Sequence, residues 1–306
     1  MTEASLLEEQ PPVDLGPAPA AVVQPLSAAA LHAMHGAHMA GLISPVVIGD
    51  RRKIADRAAQ EGISVDHWSF EEVAGDDAAA DRAASLAAAG QVGMVVKGNV
   101  KTEVLMRAVL ANRNLQQDTG RLSHVFAIYL PAAVYHKALF VSDGAINVAP
   151  SLAVKVQIAC NAVDLLQALG IRRPRAAILS ASEVVNMSMP SSVEAAEIAN
   201  RIGARAEALG PVALDVALSR QAASVKGVES PVAGDADLLV CPNIESGNAV
   251  VKMAARQPGT VIAGLVVGGG YPIVLPSRGD SRESQLASYG LGRKYLAWLQ
   301  HTVRRT

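Results

Sequence analysis

The stretch LPSRGDSRESQLAS, from Leu275 to Ser288, gathers a hydroxyl, a guanidinium and a carboxylate as Ser277, Arg278 and Asp280, with Ser281, Arg282 and Glu283 just behind them. Such a group could grip an anionic substrate, because a guanidinium offers a planar fork of donors and a hydroxyl can hydrogen-bond a developing oxyanion. Ser277 and Asp280 are also good helix N-caps, so a structural role fits them as well. A second candidate is KGNVKT, Lys97 to Thr102, where Gly98 would let the backbone approach an anion and the amides of a following helix could hold it. Lys97, Thr102 and Arg107 would add side-chain donors there; the alternative is an ordinary strand-to-helix turn. A third is Ser246, Gly247 and Asn248, which open a helix after a strand ending at Cys241 and Pro242 and are equally common caps. The glycines of VGGGYPIVL make no dinucleotide loop, because a strand follows them where that fingerprint needs a helix.

Ligands of an open parallel sheet bind beyond the carboxyl ends of its strands, so each of these turns needs a strand ahead and a helix behind. From Ala20 short β-branched runs alternate with alanine-rich segments: AVVQ, LSAAALHAMHGAHMAG, PVVIGD, RRKIADRAAQEG, then GMVVKG and TEVLMRAVLANR, and the alternating run HVFAIYLP. The second half opens with the helix LAVKVQIACNAVDLLQALG and the strand RAAILSA. Ser191 with Glu194 reads as a capping box opening the helix VEAAEIANRIGARAEALG. Strands PVALDV, DLLVCP and TVIAGLVV follow, with helix ESGNAVVKMAARQ between the last two, and PIVLPS leads to a closing helix from about Asp280. Strands separated by helices of this length are parallel, with right-handed crossovers. The expected fold class is α/β: two parallel-sheet α/β domains with helices on both faces and a cleft between them. Residues 1–18, rich in proline, are expected to be a disordered tail, 19–120 plus 276–306 one domain, and 121–275 the other.

The 306 residues carry 27 basic and 28 acidic side chains, interspersed, so no broad cationic field exists for nucleic acid or an anionic membrane. Two cysteines, Cys160 and Cys241, cannot build a disulfide framework or thiolate cluster, which fits a reducing compartment. The acidic, proline-rich start lacks the basic end and apolar block of a secretory signal. The apolar stretch Thr260 to Leu275 is broken by glycines and Pro272 and reads as two buried strands around a turn, not a membrane span. Aromatics are only 3%, so the core must be packed with small and aliphatic side chains, as in helix-on-sheet layers. His32, His35 and His38 recur on one helix, but they spread around it and no cysteine or carboxylate flanks them, so no metal site is expected.

Taken together, the blocks resemble the phosphate acetyltransferase and phosphate butyryltransferase family. ISPVVIGDRRKIADRA is similar to an early strand and helix of that family, and FVSDGAINVAPS to its segment around Asp143, Asn147 and Pro150. GPVALDVALS, Lys226, and SPVAGDADLLVCPNIESGN with Lys252 resemble its most recognisable stretch, and LPSRGDS closes the match. The resemblance runs from about Val22 to near the C-terminus. SRGDS and NMSMPSSVEA are closer to the butyryltransferase branch.

The resemblance implies two α/β domains around the site and reversible acyl transfer between coenzyme A and inorganic phosphate. It implies no metal or redox cofactor, coenzyme A being a substrate. Ser277 would bind the reacting thioester or its oxyanion and Arg278 the phosphate, with Lys97, Thr102, Arg107, Asp143, Asn147, Lys226, Ser246, Gly247 and Asn248 as substrate-binding candidates. The acetyltransferase pattern places an aspartate seven residues after the serine as base for the thiol, where this chain has Ser284. The role then falls to Asp280, taken as the third catalytic candidate, to Glu283, or to no residue, since a thiolate beside Arg278 forms at lower pKa. The expected partners are acyl-CoA and phosphate, with no nucleic acid or membrane, in a cytoplasmic homodimer. The rival readings are a coenzyme A-binding but catalytically idle relative and a metal- or NAD-dependent dehydrogenase on a related scaffold.

Overall fold

The computed structural model describes residues 16–113, 120–277 and 279–303. In chain order the elements are β1 (Ala18–Val23), α1 (Ala28–Met39), β2 (Ile43–Gly49), α2 (Arg51–Gln60), β3 (Ser69–Glu72), α3 (Asp76–Ala88), β4 (Met94–Lys97) and α4 (Thr102–Ala111). Next come β5 (Ser123–Tyr129), β6 (Leu139–Ser142), α5 (Leu152–Ala168), β7 (Arg175–Leu179), α6 (Pro190–Ile202), β8 (Glu207–Val212), α7 (Leu214–Leu218), α8 (Arg220–Val225), β9 (Leu238–Val240) and α9 (Ile244–Ala254). The chain closes with β10 (Val261–Val267), β11 (Ile273–Val274) and α10 (Arg282–Val303). The described residues fall into two compact units, 16–113 with 262–303, and 120–261.

In the first unit the strand order is β3-β2-β1-β4-β11-β10. Ala20 to Val23 of β1 are sealed in the core between β2 and β4, both parallel to it. The covering helix α3 buries Ala79, Ala80, Ala83, Ala84 and Ala87, whose small side chains let it lie close against β1 and β2. This is how a core with few aromatics fills its volume. Helix α1, capped by the Ser27 hydroxyl, packs against α10.

The second unit has the order β5-β6-β9-β7-β8. Helix α5 lies along it, burying Ile158, Ala159, Ala162, Val163, Leu165 and Leu166, as its broadly apolar sequence requires.

The α/β class is as the sequence predicts, with five corrections. Two pairs are antiparallel, β5 with β6 and β10 with β11, because no helix intervenes and a turn reverses the chain. Strands β10 and β11, expected in the second domain, belong to the first sheet, since β11 pairs in parallel with β4. The expected tail reaches too far, since Ala18 already pairs with Ile43; residues 1–15 lie outside the described residues. The helix expected to run on to Gly210 stops at Ile202, EALGPV is β8 along β7, and Leu214 to Val216 of the expected strand PVALDV lie in helix α7. Finally, Met189 rather than Ser191 is the N-cap of α6. Ser191 bonds the Ser180 hydroxyl instead, at 3.0 Å, and Glu194 pairs with Lys155.

Candidate active site

Ser277 leaves the carboxyl end of β11 exposed to solvent, and its backbone is fixed by Asp280. The Ser277 N–H donates to Asp280 Oδ2 at 2.6 Å, and the Asp280 N–H donates to the Ser277 carbonyl at 3.1 Å. Neither residue caps the helix. That is done by Ser281, whose Oγ accepts the Ser284 N–H at 3.1 Å. The helix start is then stitched to β10: Ser284 Oγ accepts the Ile262 N–H at 3.1 Å and Ser288 Oγ the Gly264 N–H at 3.0 Å. Ser284, at the position where the family pattern has an aspartate, is thus a buried structural tie. Glu283 is exposed, and its carboxyl is held below the usual carboxylate range by its own backbone N–H and then by the Ser281 hydroxyl, which makes it a weak base. Arg278 lies outside the described residues.

The turn after β4 lies at the same edge of the first sheet, since β11 and β4 are parallel neighbours. Lys97 is buried there, its Nζ donating to the Gly98 carbonyl at 3.2 Å. Gly98 owes its identity to packing: a Cβ would sit 2.3 Å from the Val23 carbonyl oxygen and 2.5 Å from that of Gln24. Asn99 Oδ1 accepts the N–H groups of Leu26 and Ser27, at 2.9 and 2.8 Å, tying this turn to the start of α1. Thr102 opens α4, whose N-cap Lys101 supplies no side-chain hydrogen bond. Arg107 is not gathered into this turn; it lies farther along α4, exposed, 3.8 Å from Asp77.

The second unit brings together Asp143, Asn147, Gly247 and Asn248. The buried Asp143 carboxylate accepts backbone N–H groups from His124, Ala145, Ile146 and Asn147 at 2.9–3.3 Å, and the Asn147 amide at 2.6 Å. A buried charge is tolerable only with such a set of donors. Asn147 also donates to the Leu122 carbonyl at 2.9 Å and accepts from Arg121 at 2.7 Å. Helix α9 sits directly on this turn: a Cβ on Gly247 would lie 2.4 Å from the Asp143 carbonyl oxygen, and Asn248 donates to the Gly144 carbonyl at 3.1 Å. Asn243, which sequence reasoning missed, caps α9 by accepting the Ser246 N–H at 3.0 Å, and the Ser246 hydroxyl donates back to it at 2.7 Å. An Asn just ahead of the apolar helix was the available signal. Lys226 stands apart, paired with Glu183 at 3.0 Å and Asp215 at 3.1 Å, its ammonium held above its ordinary pKa first by Glu183 and then by Asp215.

The Cys241 thiol is pushed up to about 12 by burial and then by the Asp143 carboxylate, so it is no nucleophile at neutral pH. Of the three histidines on α1, His32 meets Glu61 at 3.1 Å and His38 the Ile43 carbonyl at 3.2 Å. Among the described residues no group of three or more His, Cys, Asp or Glu side chains could hold a metal ion, and no helix is long and apolar enough to cross a membrane.

Fold and turns together define an α/β protein whose candidate ligand groups lie beyond the carboxyl ends of parallel strands. Residues 72–289 match the family described as Phosphate acetyl/butaryl transferase. The chain is 37% identical to the phosphate acetyltransferase of Rhizobium meliloti, over 92% of this chain and 90% of that one. It is 36% identical to the phosphate butyryltransferase of Clostridium acetobutylicum, over 85% and 87%. Its fold is similar to the crystal structure of a branched-chain phosphotransacylase from Enterococcus faecalis, with a TM-score of 0.77, 30% identity, and coverage of 91% of this chain and 99% of that one. The chain belongs to the phosphate acetyltransferase and butyryltransferase family. Identity does not separate the two branches, at 37% and 36%.

Proposed function

We propose that the protein is an acyltransferase that moves a short acyl group, butyryl, propionyl or acetyl, reversibly between coenzyme A and inorganic phosphate. A phosphate oxygen attacks the thioester carbon, the carbon–sulfur bond breaks, and the thiolate leaves to take up a proton, giving acyl phosphate and free coenzyme A. Ser277 hydrogen-bonds the thioester oxygen as it gains charge, and Arg278 holds phosphate. Asp280 keeps Ser277 in place and, in the reverse direction, accepts the thiol proton. The one observation carrying this reading is the placement of Ser277: exposed at the carboxyl end of β11, its backbone fixed by Asp280, ahead of a 22-residue helix whose N-terminal dipole favours anions.

Lys97, Thr102 and Ser246 serve the phosphates of the substrates, and Arg107 adds positive charge farther along α4; Lys226, engaged by Glu183 and Asp215, is left out of the site. Asp143, Asn147, Gly247 and Asn248 shape the turn that meets α9. The SRGDS and NMSMPSSVEA segments favour the butyryltransferase branch. The enzyme needs no metal or redox cofactor, and it works in the cytoplasm as a homodimer; the free cysteines support the compartment and the family resemblance supports the dimer. The test is free thiol release from acetyl-, propionyl- and butyryl-CoA, with and without phosphate, and acyl phosphate trapped as hydroxamate. Release that depends on phosphate is expected. Binding of coenzyme A without turnover, or reduction of NAD with an added metal, sinks the assignment.

A further inference from the structure

Gln24 is the first residue beyond the carboxyl end of β1, and its φ of 51° lies in the left-handed region. Among the described residues no other non-glycine residue has a positive φ. Pro25 follows it, and a proline pushes the residue before it toward extended backbone, so the conformation is unfavourable on two counts. The side chain adds a third. Gln24 is only 5% exposed, and its Oε1 is buried without a hydrogen-bond partner among the described residues. Space is kept open for that oxygen: a Cβ on Gly49, at the end of β2, would sit 2.5 Å from it.

The backbone alone does not call for a glutamine. Its N–H donates to the Ile48 carbonyl at 2.8 Å, and its carbonyl accepts the N–H groups of Leu26 at 2.9 Å and Asn99 at 2.8 Å, bonds that a glycine would make without the steric conflict. A strained residue that also buries an unpaired acceptor points to a task for the side chain outside the folded chain. Its place in the sheet indicates the task. The parallel strands β2, β1, β4 and β11 end at one edge, so Gly49, Gln24, the Lys97 turn and Ser277 follow one another along it, all in the first unit. Two strand spacings, roughly 10 Å, separate β1 from β11. Inorganic phosphate held beside Ser277 does not reach that far and offers chiefly acceptors. The pantetheine arm of coenzyme A does reach, and it carries amide N–H donors.

We propose that Gln24 binds coenzyme A, its Oε1 accepting an amide N–H of the pantetheine arm while the thioester lies at Ser277. The last torsion of a glutamine side chain is soft, so the oxygen turns from Gly49 toward the arriving donor. The proposal rests on the acyl-transfer reading above. It is tested by calorimetric titration with coenzyme A and with 4′-phosphopantetheine, which lacks the nucleotide, and by KM for butyryl-CoA and for phosphate, in the wild type, Gln24→Met and Gln24→Gly. Methionine keeps the bulk and removes the unpaired oxygen, so Gln24→Met should melt no lower than the wild type. Both variants should bind coenzyme A and 4′-phosphopantetheine about tenfold more weakly, with the KM for butyryl-CoA raised to match and that for phosphate unchanged. If one variant does not fold, the other carries the test. Folded variants with wild-type affinity for coenzyme A overturn the role of Gln24 while leaving acyl transfer intact, and a loss confined to coenzyme A overturns the arm as the donor. A wild type without phosphate-dependent transfer overturns the proposal together with the reading beneath it.

Discussion

Ser277 and Asp280 hold each other through two hydrogen bonds, the serine N–H to the carboxylate at 2.6 Å and the aspartate N–H to the serine carbonyl at 3.1 Å. The carboxylate therefore has a positioning role whatever else it does, and two substitutions separate the roles. Asparagine keeps an oxygen for the Ser277 N–H but cannot take a proton. If it is also the base, then in the direction that consumes free coenzyme A, Asp280→Asn should lower kcat by about a hundredfold and remove the acid limb of the pH profile, and Asp280→Ala should cost more, through the loosened turn. An Asp280→Asn enzyme with wild-type kcat and pH profile would leave only the positioning role.

On the proposed reading, removing the Ser277 hydroxyl takes away one donor to the developing oxyanion while the backbone hydrogen bonds to Asp280 remain. Ser277→Ala should reduce kcat by on the order of a hundredfold with little change in melting temperature, and Arg278→Ala should chiefly raise the KM for phosphate. Steady-state kinetics with varied phosphate checks both. Wild-type acyl phosphate formation in these variants contradicts the proposed site.

Gly247 is required by the closeness of α9 to the Asp143 turn. An alanine Cβ would lie 2.4 Å from the Asp143 carbonyl oxygen and 3.0 Å from the Gly144 Cα, both backbone atoms that cannot swing aside. Gly247→Ala should destabilise the protein by about 1–3 kcal/mol. Chemical denaturation measures this, and unchanged stability would mean that helix and turn separate at little cost.

His124 is sealed in the core, its ring 4.1 Å from that of Phe126, and burial pulls its pKa down to about 4 from 6.5, the nearby Asp143 carboxylate only partly opposing. Between those values the unfolded chain binds a proton that the native state refuses, so stability falls as pH drops through this window. The full shift corresponds to a loss on the order of 3 kcal/mol, most of it between pH 6 and 4. Urea denaturation at pH 7 and pH 5 should show the wild type weaker at pH 5, with a flatter dependence in His124→Gln. Equal slopes in both proteins would remove His124 as the cause.

Much of the fold is legible because β-branched runs, alanine-rich segments and glycine punctuation obey local rules, as around β4 and at the β10–β11 turn. The failures have a common origin in long-range partners. Ser191 and Glu194 have the spacing of a capping box, yet Ser180 and Lys155 claim them. EALG has fair helix formers, but pairing with β7 makes it strand. At the site, residue types pointed to Ser277 and Gly247 and the family resemblance to Asp143, while their geometry did not follow. The donors on Asp143 include His124 from a separate strand, and the task of Ser284 depends on Ile262.

Strand β4 has β1 on one side and β11 on the other, and residues 120–261 are translated between β4 and β11. During synthesis from the N-terminus, β4 thus keeps an unpaired, exposed hydrogen-bonding row on that side until residues 273–274 have been made. The serine-bearing turn cannot be assembled before then. A chain that ends before Ile273 holds no Ser277 turn and presents the sticky β4 edge instead, so truncation ahead of β11 should show up as aggregation as much as lost turnover.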